Sequence, residues 1–291
     1  MVKKLFMKFN FSDLAELLRI RQWYKNLLIF LPAIFARELL QYLPQLILGF
    51  FSLCLISSAN YIINDIFDRE KDKHHSEKSK RTIASGKIST GTAIAAAGIL
   101  FIISISVGYY INKIFLLALL GLFTLSFIYT IFLKNEIFLD ILIISINFVI
   151  RTLAGFFVID TPFSPWLILC PFFLAMFLAV GKRDAEIRFL GGKAEKHRKN
   201  LRLYSRELMD SFLIISTTLL ITAYTFFSIL SSYKNLVFTL PIVIYAIMRY
   251  YHLIMSSSII ARKPEMSFLD VRITASIVLW LISVVWIVFG G

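Results

Sequence analysis

The sequence predicts an all-α integral membrane protein. About nine transmembrane helices surround a central cavity, two charged loops cap it from one face, and an interfacial helix precedes the first span. Three observations carry this. Of 291 residues, 58% are hydrophobic and 15% aromatic, above the roughly 45–50% apolar content of soluble domains. Apolar segments close to the ~20 residues that cross a bilayer recur nine times. The cations are one-sided: of 31 Lys and Arg, 27 fall in segments on one face, three on the other and one inside a span. The positive-inside rule then makes the N-terminus and the large loops cytoplasmic and leaves the C-terminus outside. A net charge of +13 would suggest nucleic acid in a soluble protein. Here topology accounts for most of it, anionic membrane lipids and phosphorylated substrates use the rest, and no nucleic-acid partner is expected.

Taken in order, Ser12 and Asp13 read as an N-cap. Leu14, Leu17, Leu18 and Trp23 follow at helical spacing with Arg19, Arg21 and Lys25 between them. Residues 1–22 are therefore expected to lie on the cytoplasmic leaflet. Residues 1–10 are basic, but no short apolar region with a small-residue cleavage site follows, so no signal peptide is expected. The first span is placed at 23–40 and contains Pro32. The others lie near 45–63, 91–110, 114–133, 136–157, 164–181, 211–231, 235–254 and 271–289. Polar turns at 110–113 and 231–235, a Pro-rich turn at 160–165 and Pro264 separate them. Cys54 and Cys170 fall inside apolar segments, as packing residues rather than a disulfide or metal pair. The whole chain, 1–291, reads as one transmembrane domain of inner-membrane type.

Two loops are long, 64–90 and 182–210. Each follows an even-numbered span, and their starts lie 118 residues apart. Two related helical halves, each delivering a charged loop to one cavity, is the simplest use of that spacing.

The stretch 60–81, NYIINDIFDREKDKHHSEKSKR, is the chemical centre. Asn64, Asp68 and Asp72 recur every four residues and share one helical face of roughly 12 Å. Magnesium wants oxygen ligands and keeps substrate phosphates and waters in its other positions. An amide and two carboxylates at a membrane edge, followed at once by Lys78, Lys80 and Arg81, suit a magnesium–diphosphate substrate; the alternative is a solvated juxtamembrane turn of mixed charge. Tyr61 lines the cavity or serves as an interfacial aromatic. His74 and His75 lack companions at ligand spacing and read as solvated.

A second constellation, GKRDAE, occupies 181–186. Lys182 and Arg183 stand at the membrane edge in register with the acidic motif, where Arg grips phosphate bidentately and Lys acts as a point charge. The more distal cations of 193–199 read as charge retention and lipid-headgroup contacts. Arg151 lies about 15 residues into the fifth span, a costly position that signals function or a polar cluster between helices. Asp140, Asn147 and Arg151 share a helical face. Lys134, between spans four and five, is placed to face the same cavity.

Residues 64–72, NDIFDREKD, resemble the NDxxDxxxD signature of the UbiA-type membrane prenyltransferase superfamily. GKRDAE replaces a second aspartate-rich motif and resembles the GKRxAE segment of the decaprenyl-phosphate phosphoribosyltransferase branch. RQWYKN at 21–26, IRTLAG at 150–155, LYS at 203–205, PE at 264–265 and Asp270 are further similar stretches. Ser76, Ser79, Thr82 and Asp184 depart from the branch pattern. The resemblance implies transfer of 5-phosphoribose from phosphoribosyl diphosphate to a polyprenyl phosphate, a step of cell-wall biosynthesis. Asn64, Asp68 and Asp72 would hold Mg2+ on the donor diphosphate, with Asn64, Asp68 and Lys182 at the centre of catalysis. Lys25, Lys78, Arg81, Lys134, Lys182 and Arg183 would bind phosphate, Tyr61 would line the substrate cavity, and Arg151 would steer the lipid. The lipid phosphate would attack C1 without a protein nucleophile. Two other readings stay open: a UbiA-type enzyme moving a prenyl group to an aromatic or lipid acceptor, and a non-catalytic transporter or lipid-binding scaffold.

Overall fold

In a bilayer only a helix satisfies the backbone polar groups of a single span within itself, and long runs of Leu, Ile and Phe wind accordingly. The computed structural model describes residues 11–74, 78–134, 136–190 and 204–290, and the regular structure among them is helical throughout. In chain order α1 is Phe11–Leu17, a 3-10 helix follows at Ile20–Ile29, α2 is Phe30–Phe35, α3 is Leu43–Phe67 and α4 is Arg69–Lys73. Next come α5 at Thr90–Ile111, α6 at Lys113–Ile128 with a π turn at Tyr129–Leu133, α7 at Leu139–Ile159 and α8 at Pro165–Leu190. After α9 at Arg206–Leu230, a 3-10 turn at Lys234–Thr239 leads into α10 at Leu240–Met255. The chain ends with α11 at Ile259–Arg262, a 3-10 turn at Pro264–Leu269 and α12 at Val271–Phe289. Eight of these helices are long and apolar enough to cross a membrane.

Polar residues set the boundaries. Asn112 ends α5 in an extended conformation and caps α6 by accepting from the Phe115 amide at 2.7 Å. Ser89, Ser205 and Asp270 cap α5, α9 and α12 in the same way.

The expected first span, 23–40, takes a different form. Residues 20–29 are wound as 3-10 helix, six residues of α-helix follow, and Arg37 in a left-handed conformation ends the run. At about 2.0 Å per 3-10 residue and 1.5 Å per α residue, this short segment still reaches roughly 30 Å. Its period of three aligns Trp23, Asn26 and Ile29 in one row. Trp23 Nε1 donates to Ser58 Oγ at 3.1 Å, Asn26 Nδ2 to Cys54 Sγ at 3.2 Å, and Ile29 is fully buried. The approach to α7 is so close that a Cβ on Gly155 would lie 2.1 Å from the Ile29 carbonyl oxygen. Backbone meets backbone there, which only glycine permits.

The sixth span also differs from expectation. Instead of ending at 181, α8 continues to Leu190, so 181–188 is helix rather than loop. Ion pairs made by Arg183 and Arg188 satisfy this charged extension. Residues 191–203, which hold the expected distal cations of the second loop, lie outside the described residues, as do 1–10 and 75–77.

Among the described residues the buried apolar side chains form four clusters, three of which draw on α7. Ile29, Leu46, Leu53, Ile56, Phe115 and Leu119 fill the space between the N-terminal segment, α3, α6 and α7. Phe177, Val180, Met209, Leu213 and Ile254 fill the space between α8, α9 and α10. Large apolar side chains such as Ile102, Leu117, Phe132 and Trp286 face outward, as lipid in place of water allows.

Candidate functional site

The last turns of α3 carry the acidic motif. The helix breaks at Asp68, yet the amide of Asp68 still donates to the Asn64 carbonyl at 2.9 Å, and that of Asp72 to the Asp68 carbonyl at 2.8 Å. Asn64, Asp68 and Asp72 therefore follow one helical path through the α3–α4 junction.

Cations from three other segments converge on this path. Lys134 Nζ lies 2.6 Å from Asp68 Oδ1. Arg81 Nη1 donates to Asp72 Oδ2 at 2.7 Å and to Asp65 Oδ1 at 2.9 Å, and the Arg19 guanidinium also pairs with Asp65. Asp65 and Asp72 are buried, and buried carboxylates require such partners. The π turn aims Lys134: its amide donates to the Tyr129 carbonyl at 2.9 Å, five residues back, so the wider turn changes the direction in which residue 134 leaves the helix. Thr130 Oγ1 approaches Asn64 Oδ1 at 3.4 Å.

The donor set fits magnesium held together with a substrate. Amide and carboxylate oxygens are the hard ligands this ion takes, and it commonly uses one or two protein carboxylates plus phosphates. Among the described residues no three His, Cys, Asp or Glu form a preformed metal cage. Asn64, Asp68 and Asp72 would thus hold Mg2+ only in company with diphosphate oxygens, onto which Lys134 and Arg81 can transfer their hydrogen bonds.

The other expected residues divide into groups. Tyr61 lies beneath the Arg19 guanidinium, 4.8 Å from its ring centroid. Lys25 is partly buried in the 3-10 helix, with its ammonium 5.9 Å from the Tyr24 ring centroid. Lys78 opens a short 3-10 turn before Arg81, and Lys182 is partly buried on α8. Arg151 is buried between helices: Nε donates to Asn26 Oδ1 at 2.7 Å, Nη1 to the Asn147 carbonyl at 2.6 Å and Nη2 to Ser57 Oγ at 3.4 Å. These acceptors are all neutral, so its charge stays uncompensated by them.

Arg183 departs from its expected role. It is buried, with Nε 2.8 Å from Asp140 Oδ2 and Nη1 2.8 Å from the Ala179 carbonyl. Asp140 also accepts from the Tyr204 hydroxyl at 3.0 Å, and that hydroxyl accepts from the Phe138 amide. Burial pushes the Tyr204 hydroxyl up to about 12, which keeps it a neutral donor. Arg183 thus joins α7 to α8 instead of presenting a free fork to phosphate. Asp140 is drawn toward Arg183, so the Asp140–Asn147–Arg151 face splits into two separate contacts. Arg188 similarly links Asp184 on α8 to Asp210 on α9, and Asp270 both caps α12 and pairs with Arg249 at 2.7 Å.

Sequence reasoning missed Asp65, Arg19 and Thr130. Asp65 follows Asn64 directly and so lies about 100° off the four-residue face. Arg19 reads as one cation among several on an amphipathic stretch. Its backbone is left-handed, φ 49° and ψ 47°, where a non-glycine residue carries strain and often marks a functional position.

Comparison with known proteins adds three findings. The model of the UbiA prenyltransferase family matches residues 27–269. Proteins named decaprenyl-phosphate phosphoribosyltransferase are similar in sequence. That of Mycolicibacterium smegmatis is 31% identical over 73% of this chain and 69% of its own length, and that of Corynebacterium glutamicum is 29% identical over 74% and 67%. In structure, a UbiA homolog from Archaeoglobus fulgidus bound to GPP and Mg2+ superposes with a TM-score of 0.73. The match is 18% identical and covers 96% of this chain and 100% of that one.

Proposed function

The chain belongs to the UbiA prenyltransferase family, and from that premise we propose that this membrane transferase moves 5-phosphoribose from phosphoribosyl diphosphate to a polyprenyl phosphate, with Mg2+, releasing diphosphate at the cytoplasmic face of the cell membrane. The observation that carries this reading is the density of cations on the acidic motif: Arg19, Arg81 and Lys134 all touch its carboxylates. A prenyl donor brings one diphosphate. A phosphoribosyl donor adds a 5-phosphate and the acceptor another phosphate, and that much anion calls for this much positive charge. The sequence relatives named for phosphoribosyl transfer support the same reading.

Bound Mg2+ would neutralise the diphosphate as a leaving group. Asn64, Asp68 and Asp72 hold that end of the donor. Lys134 and Arg81 exchange their carboxylate contacts for phosphate oxygens, and Lys182, Lys78 and Lys25 supply further positive charge. Arg151, charged and hydrogen-bonded to the neutral Asn26, Asn147 and Ser57 inside the bundle, attracts the lipid phosphate. An oxygen of that phosphate forms a bond to C1 of the ribose while the C1–O bond to diphosphate breaks, the electron pair leaving with diphosphate. The attacking group is already anionic, so no protein base takes part. Catalysis comes from positioning and electrostatic stabilisation.

Purified protein incubated with labelled phosphoribosyl diphosphate, polyprenyl phosphate and Mg2+ is expected to yield a lipid carrying phosphoribose, identified by mass. A product extended instead by a prenyl chain from prenyl diphosphate would replace this reading with prenyl transfer. Absence of diphosphate release with either donor would leave a non-catalytic role.

A further inference from the structure

Asn60 lies on α3 one turn, about 6 Å, further into the bundle than Asn64. It is 7% exposed, and among the described residues neither its amide oxygen nor its amide nitrogen meets a hydrogen-bond partner. A buried amide left wholly unpaired is rare and destabilising, so the group is held for something that arrives. Its surroundings point the same way. Asn60, Asn64 and Asp68 recur every four residues on one face. Across from Asn64 stands Thr130 at 3.4 Å, and one turn deeper on α6 Ser126 approaches Asn147 at 3.5 Å. Both contacts sit at the long limit of hydrogen bonding. Thr130 also donates to the Ser126 carbonyl on its own helix at 2.9 Å, so the side chains beside the acidic motif are polar while their contacts from one helix to the next are long.

An amide presents a donor and an acceptor together. A phosphate oxygen only accepts, and a prenyl chain does neither. A hydroxyl does both, and a sugar hydroxyl would hang one turn below a diphosphate anchored at Asn64 and Asp68. We infer that Asn60 determines donor specificity by hydrogen bonding a ring hydroxyl of the pentose. The inference rests on the phosphoribosyl reading above and sharpens it to a residue that distinguishes a sugar donor from a prenyl donor.

The test compares the wild type with Asn60→Ala on phosphoribosyl diphosphate and on its 2-deoxy and 3-deoxy analogues, by kcat/KM. The wild type is expected to lose about tenfold or more on the analogue lacking the contacted hydroxyl, the scale of one hydrogen bond left unmade. Asn60→Ala loses a similar factor on the parent donor and no longer discriminates. Its melting temperature in detergent stays level or rises, because an orphaned amide has been removed. Equal discrimination in both proteins, or a fall in melting temperature showing that Asn60 is bonded within the fold, overturns the assignment while leaving the reaction intact. A wild type that makes no lipid-linked phosphoribose overturns the reaction, and the assignment with it.

Discussion

Lys134 places its ammonium 2.6 Å from Asp68 although 66 residues separate the two, and a π turn directs it there. The contact joins α6 to the acidic motif at the position expected to carry the metal. Replacing the ammonium removes one positive charge from the donor site and also frees an Asp68 oxygen. Lys134→Met is therefore expected to raise the KM for the phosphorylated donor by about tenfold, while the Mg2+ concentration giving half-maximal rate at saturating donor falls. Steady-state kinetics alongside metal titration reads the two opposite shifts; movement in the same direction would exclude Lys134 from the exchange.

Asp68→Ala removes the central carboxylate of the Asn64–Asp68–Asp72 path. Magnesium-dependent transfer should fall to background while the protein still inserts and elutes as the wild type does. Activity assayed across Mg2+ concentrations checks this, since full activity without added metal dependence contradicts the role. Chelation of the wild type by EDTA should produce the same loss and reverse on adding Mg2+.

The Arg183–Asp140 pair makes a contrasting prediction. Both groups are buried, and removing one partner leaves an unpaired buried charge, costing about 3–5 kcal/mol. Arg183→Met should lower the melting temperature and the yield in membranes, yet leave the donor KM of the folded fraction unchanged. The double variant Arg183→Met with Asp140→Leu should recover much of the stability. A raised KM with intact stability would return Arg183 to the substrate site.

Gly155→Ala tests the seat of the N-terminal segment. The added methyl would lie 2.1 Å from a backbone oxygen of Ile29, which cannot swing away as a side-chain tip can. Overpacking of this kind costs about 1–3 kcal/mol or more. Because Arg151 on the same helix holds Asn26, the displaced segment should also raise the KM for the lipid acceptor. Thermal unfolding and acceptor kinetics together report this; a variant as stable and active as the wild type would show that the approach is not needed.

Acid should weaken the Asp270 cap. The Arg249 guanidinium, helped by two backbone amides, holds the Asp270 carboxyl below the usual carboxylate range. A depressed carboxylate contributes stability that is complete above its unfolded value, about 4, and is lost as pH falls from there through the folded value. Asp270→Asn keeps an acceptor for the cap but loses the charge. Its melting temperature should lie below that of the wild type at pH 7 and converge with it toward pH 3. Parallel curves would deny the pair its contribution.

Hydropathy made the later spans readable because a bilayer imposes length and apolarity on every helix that crosses it. The acidic path was readable because a four-residue repeat on a helix has one geometric meaning. Arg183 and Arg151 were harder. Spacing shows which residues share a face, but not which neighbouring helix that face meets. Arg183 found Asp140 and Arg151 found Asn26, each across a helix boundary. The continuation of α8 to Leu190 was hidden for a related reason: the apolar run stops near 181, and the ion pairs that carry the helix onward involve residues far away in the chain. Lys134 was legible only as a position, since the π turn that aims it leaves no mark in a hydropathy pattern.

The 3-10 winding of Ile20–Ile29 also has a mechanical side. Rewinding those ten residues as α-helix would shorten the segment by about 5 Å. It would also break the three-residue row of Trp23, Asn26 and Ile29 that grips α3 and α7. The winding thus sets both the length of the segment and the distance between Arg19 at its head and Ile29 at its foot. Because Arg19 at its head is tied to Asp65, a segment rewound in this way would pull a cation away from the acidic motif, so the geometry of the site is coupled to the winding of a helix that contributes none of the expected metal ligands.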